Sequence, residues 1–140
     1  MAFDVRLKMT NLITFKSSKF DPKSEPKNPI NPIAGHSVLV WLSKELITQY
    51  NIPDPDYEDW GWSSEVSAND SNYILGASAD IEVDSPEIFT EWTVQIHKKR
   101  NFLDTILGRN KLDKEDLLTS AVLSKITSES TNTEVSFEAR

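Results

Sequence analysis

Trp60-Gly61-Trp62-Ser63-Ser64-Glu65-Val66-Ser67 and Asn72-Tyr73-Ile74-Leu75-Gly76-Ala77-Ser78-Ala79 are two alternating runs joined by Ala68-Asn69-Asp70-Ser71. Asn and Asp tolerate the backbone of a tight turn, so Asn69-Asp70 is predicted to close a two-residue hairpin. In that register Val66 faces Tyr73, Ser64 faces Leu75, Trp62 faces Ala77 and Trp60 faces Ala79. Each indole then meets an alanine, so large side chains lie across from small ones. A slip of one residue would break the matching and turn every side chain over. Gly61 and Gly76 fall on the other face, where something can pack closely on the backbone. Trp60 and Trp62 have two readings: core residues beneath a helix, or a rim aromatic of a binding site.

Upstream, residues 37–50 carry a helical stripe of Leu39, Leu42, Leu46 and Tyr50, broadened by Val38, Trp41 and Ile47. Ser37 is the expected cap, and Asn51 with Pro53 supplies the stop. Residues 16–33 contain Pro22, Pro26, Pro29 and Pro32 among Lys19, Lys23 and Lys27, which describes an extended loop rather than a helix. Before it, Phe3, Val5, Leu7 and Met9 alternate with Asp4, Arg6 and Lys8 as a half-buried strand does. Leu12, Ile13 and Phe15 extend that strand or form another after a turn near Thr10-Asn11.

Downstream, residues 80–86 form an acidic connection, and Trp92, Val94 and Ile96 mark the next strand. Phe102 with Ile106 and Leu103 with Leu107 suit a short helical turn, stopped by Gly108. Asp113 is the expected cap of a helix near 114–127, with Glu115 and Asp116 in its first turn. Leu117, Leu118, Ala121 and Val122 would form its apolar face, and Val135 and Phe137 a last strand. The order predicts one α+β domain over residues 1–140, with two main helices on one face of a mostly antiparallel sheet. A ferredoxin-like variant with an added strand is the first expectation within that class.

The 140 residues include no cysteine, which excludes disulfides and thiolate chemistry and suits a reducing cytoplasm. Charges inside the first apolar run argue against a signal peptide, and no apolar stretch approaches a membrane span. The net charge of −7 is unevenly spread. Residues 45–97 hold twelve acidic side chains and neither Lys nor Arg. Such a surface disfavours nucleic acid and anionic membranes, whose phosphates require cations.

Asp54, Asp56, Glu58 and Asp59 are the one candidate cation cluster, but they lack the glycine and distant glutamate of a calcium loop. Glu58 or Asp59 with Glu65 would be the carboxylate pair of a hydrolase, although no spacing selects them. His36 and His97 are the only histidines, and the four glycines form no phosphate loop. No cofactor or metal is therefore expected.

Glu58-Asp59-Trp60-Gly61-Trp62, Glu91-Trp92-Thr93-Val94-Gln95-Ile96 and Leu103-Asp104…Leu107-Gly108-Arg109-Asn110 together resemble a family of small bacterial α+β proteins without an assigned biochemical function. The resemblance spans about residues 35–138. It implies a bacterial origin and this element order, and nothing about chemistry.

The expected function is a non-enzymatic domain that docks a basic protein, as a toxin-neutralising immunity protein does. Asp54, Asp56, Glu58, Asp59, Trp60, Trp62 and Glu65 are its expected surface. The alternatives are a small-ligand pocket between helix and sheet, or a carboxylate-dependent hydrolase.

Overall fold

Asn69 and Asp70 adopt φ angles of 54° and 59° and close the two-residue turn that their side chains favour. In this computed structural model, residues 10–81, 90–100, 102–108, 112 and 115–139 are described. Strands β4 (Gly61–Ala68) and β5 (Ser71–Asp80) leave the turn in the predicted register. Val66 lies opposite Tyr73, Ser64 opposite Leu75 and Trp62 opposite Ala77. Two positive φ angles give the turn the twist of the strands it joins.

Trp60 does not face Ala79. A second tight turn comes first: strand β3 (Asp56–Glu58) folds back on β4, with Tyr57 opposite Trp62 and Glu58 opposite Gly61. Asp59 and Trp60 are the residues between them. Ala79 pairs instead with Ala34 of β2 (Ile33–Ala34).

The remaining strands are β1 (Thr10–Ser17), β6 (Thr90–Lys98) and β7 (Asn132–Ala139). The sheet runs β3-β4-β5-β6-β1-β7, with β2 attached to β5. Among the described residues every ladder is antiparallel. Thr10 and Asn11 lie within β1, opposite His97 and Ile96, rather than in a turn. The alternating run of Phe3, Val5, Leu7 and Met9 lies outside the described residues, as does most of the acidic connection after Ile81.

Helices α1 (His36–Glu45) and α3 (Leu117–Ser128) bury their apolar faces against one side of the sheet. Val38, Leu39 and Leu42 of α1 and Leu118, Val122 and Ile126 of α3 join Ile13, Phe15, Leu75, Trp92, Val94 and Ile96 in one core. The protein is thus α+β with a mostly antiparallel sheet, as its sequence predicts. A third helix, α2 (Phe102–Leu107), is short and ends at Gly108, whose φ is 67°. Among the described residues no helix is long and apolar enough to cross a membrane.

Both main helices start differently from expectation. Ser37 does not cap α1; the cap position is Gly35, with φ 156° and no side chain to offer. A Cβ at Gly35 would collide with the carbonyl oxygen of Ala77, so glycine is required there. The capping function passes to Glu25 in the proline-rich loop. Its Oε1 accepts from the amides of Gly35 (2.8 Å) and His36 (2.9 Å), and its Oε2 from the amide (3.1 Å) and hydroxyl (2.5 Å) of Ser37. One carboxylate thereby satisfies three free amides and faces the positive end of the helix dipole. α1 ends at Glu45, short of residue 50, and the chain continues in a turn with Tyr50 N–H donating to the Leu46 carbonyl.

Asp113 lies outside the described residues, and the cap of α3 is Asp116. Asp116 Oδ2 accepts from the amide (3.0 Å) and hydroxyl (3.1 Å) of Thr119. Its Oδ1 accepts from the Tyr73 hydroxyl (2.7 Å), and Asn11 Nδ2 donates to Thr119 Oγ1 (3.0 Å). This network ties α3 to β1 and β5. With the helix starting at residue 117, Leu117 turns outward and is 63% exposed, while Thr119 takes a buried place.

Two outcomes test these ties. Glu25→Ala should lower stability in urea melts by about 1–3 kcal/mol, because three amides at a helix start lose their acceptor. Amide exchange should quicken first at residues 35–37. Burial, and then the Asp116 carboxylate, push the Tyr73 hydroxyl well above its ordinary value of 10.0. Its raised folded value means that its contribution is complete below about pH 10 and is lost as pH rises further. Tyr73→Phe should therefore flatten the alkaline fall in stability, and cost about 1–2 kcal/mol at neutral pH.

Candidate functional site

Among the described residues the sheet ends at β3, a strand of three residues preceded by Pro53 and Pro55. Proline donates no backbone hydrogen bond and fixes an extended chain, so the segment makes an edge without inviting a further strand. Asp54 and Asp56 are exposed there, and Asp59 is exposed in the β3–β4 turn. Glu58 is half-buried and accepts from the Ser63 hydroxyl at 3.0 Å. Asp56 and Glu58 lie opposite Ser63 and Gly61, which puts both on the face away from the helices. No ion pair is described for any of these four carboxylates.

Glu65 stands apart from them. It is on the same outer face, two residues along from Ser63, but Lys99 Nζ approaches its carboxylate to 3.0 Å. Its charge is matched by a cation from beyond the acidic span.

The two tryptophans separate across the sheet. Trp62 is 5% exposed and belongs to the core. Its indole N–H donates to the Ile33 carbonyl at 3.3 Å, and its ring meets His36 edge-on at 5.0 Å and Tyr57 at 6.3 Å. Trp60 is half-buried on the opposite face, where its ring lies on Gly76. A Cβ at Gly76 would come within 2.5 Å of that ring, so the glycine provides the seat for the indole. Trp60 thus lies on the outer face, and Trp62 lies in the core behind the edge.

The aromatic that the edge does display is Tyr57, 52% exposed between Asp56 and Glu58. Sequence reasoning singled out the tryptophans and passed over it. The proline-rich loop contributes as well. Asn28 Nδ2 donates to the carbonyls of Glu58 (2.8 Å) and Gly61 (3.0 Å), and Asn31 Nδ2 to that of Asp59 (2.7 Å). The loop therefore braces the acidic turn. The signal was present as Asn28-Pro29 and Asn31-Pro32, two dipeptides that favour turns. Lys27 is next to Asn28, but no ion pair from it to the acidic edge is described.

Among the described residues no three His, Cys, Asp or Glu side chains converge in a way that could hold a metal ion. His36 opens α1 against Trp62, while His97 is on β6 with Nδ1 3.4 Å from Thr10 Oγ1. On α2, Leu103, Ile106 and Leu107 are exposed, and no exposed aliphatic run was expected there. No family model matches the chain, and no curated protein or solved structure matches it either.

Because Trp62 is in the core, Trp62→Ala should cost about 3–5 kcal/mol in a urea melt. Trp60→Ala, which removes a half-buried ring from the outer face, should cost about 1 kcal/mol. Equal losses at the two positions would contradict their placement on opposite faces.

Proposed function

We propose that this chain is a non-enzymatic binding domain that docks a basic protein at the edge formed by Asp54, Asp56, Glu58 and Asp59. One observation carries the reading: these carboxylates have no described counter-ion and lie along the same short edge strand and turn as Tyr57, a half-exposed aromatic. Charge of one sign on an exposed edge accelerates encounter with a cationic partner, and a rigid aromatic provides the contact that holds it. Trp60 flanks this contact, while Trp62 and the loop asparagines keep the edge in shape. The prolines and the shortness of β3 favour engagement through side chains over strand addition.

The same charge would repel nucleic acid and anionic lipid, so a protein is the partner class. A bacterial, cytoplasmic immunity protein is the biological setting that best suits the small acidic domain, since many toxins are cationic enzymes. Of the finer fold class, a ferredoxin-like variant, the shared features are a first strand inside the sheet and helices between strands. The antiparallel ladders also suit it, because in a split β-α-β unit an antiparallel strand lies between the two parallel ones.

The test is binding kinetics against the partner that copurifies with the native chain, at low and high salt. Asp56→Lys with Asp59→Lys should slow association strongly, and the wild-type on-rate should fall as salt shortens the screening length towards about 3 Å at 1 M. Glu65→Gln should have little effect, because Lys99 already matches that charge. Unchanged affinity in the double variant, together with a salt-independent wild type, would remove the edge from the mechanism. Turnover of a substrate by the purified chain alone, lost on neutralising one carboxylate, would replace binding with catalysis.

A further inference from the structure

At the end of the sheet away from the acidic edge, the order β3-β4-β5-β6-β1-β7 closes on β7. Among the described residues β7 pairs with β1 alone. The two edges are built differently. β3 is three residues long and follows two prolines, whereas β7 runs for eight residues without a proline or a lysine. A long edge strand presents a row of backbone groups that can template another strand, and prolines, lysines and shortness are the usual safeguards.

The one irregularity of β7 lies near its start. Glu134 has φ 52°, and the register against β1 shifts between Thr14 and Lys16. Such a bulge bends the strand locally, so residues 135–139 are its regular part. There Ser136 is opposite Thr14, Phe137 opposite Ile13, Glu138 opposite Leu12 and Ala139 opposite Asn11. Ile13 and Asn11 are buried on the helix side, which puts Phe137 and Ala139 on that face and Ser136 and Glu138 on the outer one. Val135 and Phe137 pack against the core yet stay part-exposed, and Ala139 is exposed. An apolar row therefore continues to the rim of the sheet.

We infer that this edge pairs antiparallel with β7 of a second copy of the chain, about a two-fold axis at Phe137. An axis perpendicular to the sheet keeps the helix sides together, so each residue must meet one from its own face. Three centres then use the regular part. An axis at Ser136 sets Glu134 against Glu138 of the other copy, and an axis at Glu138 sets the two copies of that carboxylate against each other. Like charges directly opposite disfavour both. The axis at Phe137 sets the two phenyl rings together, Val135 against Ala139, and the Ser136 hydroxyl against the Glu138 carboxylate, to which it can donate. Apolar meets apolar and no charge meets its like, so the strand is complementary to itself in one register. Five residues from each copy make a small contact, which suits a reversible pair that forms as concentration rises. The joined sheet would carry an acidic β3 edge at each end. The inference stands apart from the docking reading, since the strand concerned is at the opposite edge.

Sedimentation equilibrium of the full chain over a concentration series, with amide exchange followed at residues 135–139, is the test. The wild type should pass from monomer to dimer, and exchange at these amides should slow as it does. Ser136→Glu, an exposed substitution that sets two carboxylates against Glu138 of the other copy, should weaken dimerisation about tenfold. Ser136→Lys should dimerise at least as tightly as the wild type. Ser136→Glu with Glu138→Lys, which makes each facing pair attractive again, should recover what the single change loses. The inference is overturned if the wild type stays monomeric throughout, or if Ser136→Glu dimerises as the wild type does. Exchange at 135–139 that is the same at every concentration, as cover by another part of the same chain would give, also overturns it. A double variant as weak as the single one would refute the register. Should Ser136→Glu fail to fold, loss of the dimer in Ser136→Lys refutes the pairing and its retention supports it.

Discussion

Trp62 stands opposite Ala77, and the backbone of Gly35 passes against the carbonyl of that same alanine. The rest of the architecture depends on this close approach. A larger residue at 77 would displace the indole, and any side chain at 35 would meet the β5 backbone. With both positions small, the start of α1 settles on the hairpin and Trp62 fills the angle between them. Its N–H reaches the Ile33 carbonyl just before the helix, so the same side chain also anchors the approach to α1.

The contact has a structural cost that another segment offsets. A glycine at the helix start provides no capping oxygen, and three amides would face a partly buried site without partners. Glu25 supplies them, ten to twelve residues upstream. The same loop then reaches the β3–β4 turn through Asn28 and Asn31. A stretch that composition alone describes as an extended linker is thus the piece that joins helix, hairpin and acidic edge. At the other helix Asp116 does a comparable task, holding the first turn of α3 and the Tyr73 hydroxyl together.

These constraints divide the molecule into a closed side and an open one. The apolar side chains of the sheet and both main helices enclose the core, and Trp62 is spent on it. The outer face of the edge retains carboxylates without described counter-ions and a tryptophan resting on a glycine, while the exposed Tyr57 leans on Trp62 from the other face. Polar ties from Asn28 and Asn31 to backbone carbonyls hold this edge in place.

By itself the sequence determined the hairpin, its turn and its register. Alternation is a local signal with a period of two, and Asn69-Asp70 opposed by matched side-chain sizes leaves one register. It also determined the α+β class, the strand around Trp92, Val94 and Ile96, and the presence of two main helices, because apolar periodicity reports which face is buried. Only the tertiary structure decided the strand order, the cap of α1 and the two faces of Trp60 and Trp62. Glu25 and Gly35 are ten residues apart with prolines between, so their hydrogen bonds depend on how the loop returns. Trp60 and Trp62 alternate as strand neighbours do, yet a turn at Asp59 and Trp60 breaks the alternation, and that turn exists because β3 pairs with β4. The partners of charged groups are likewise non-local: Glu65 meets Lys99 across 34 positions of chain, while nearby Asp56 meets no described cation.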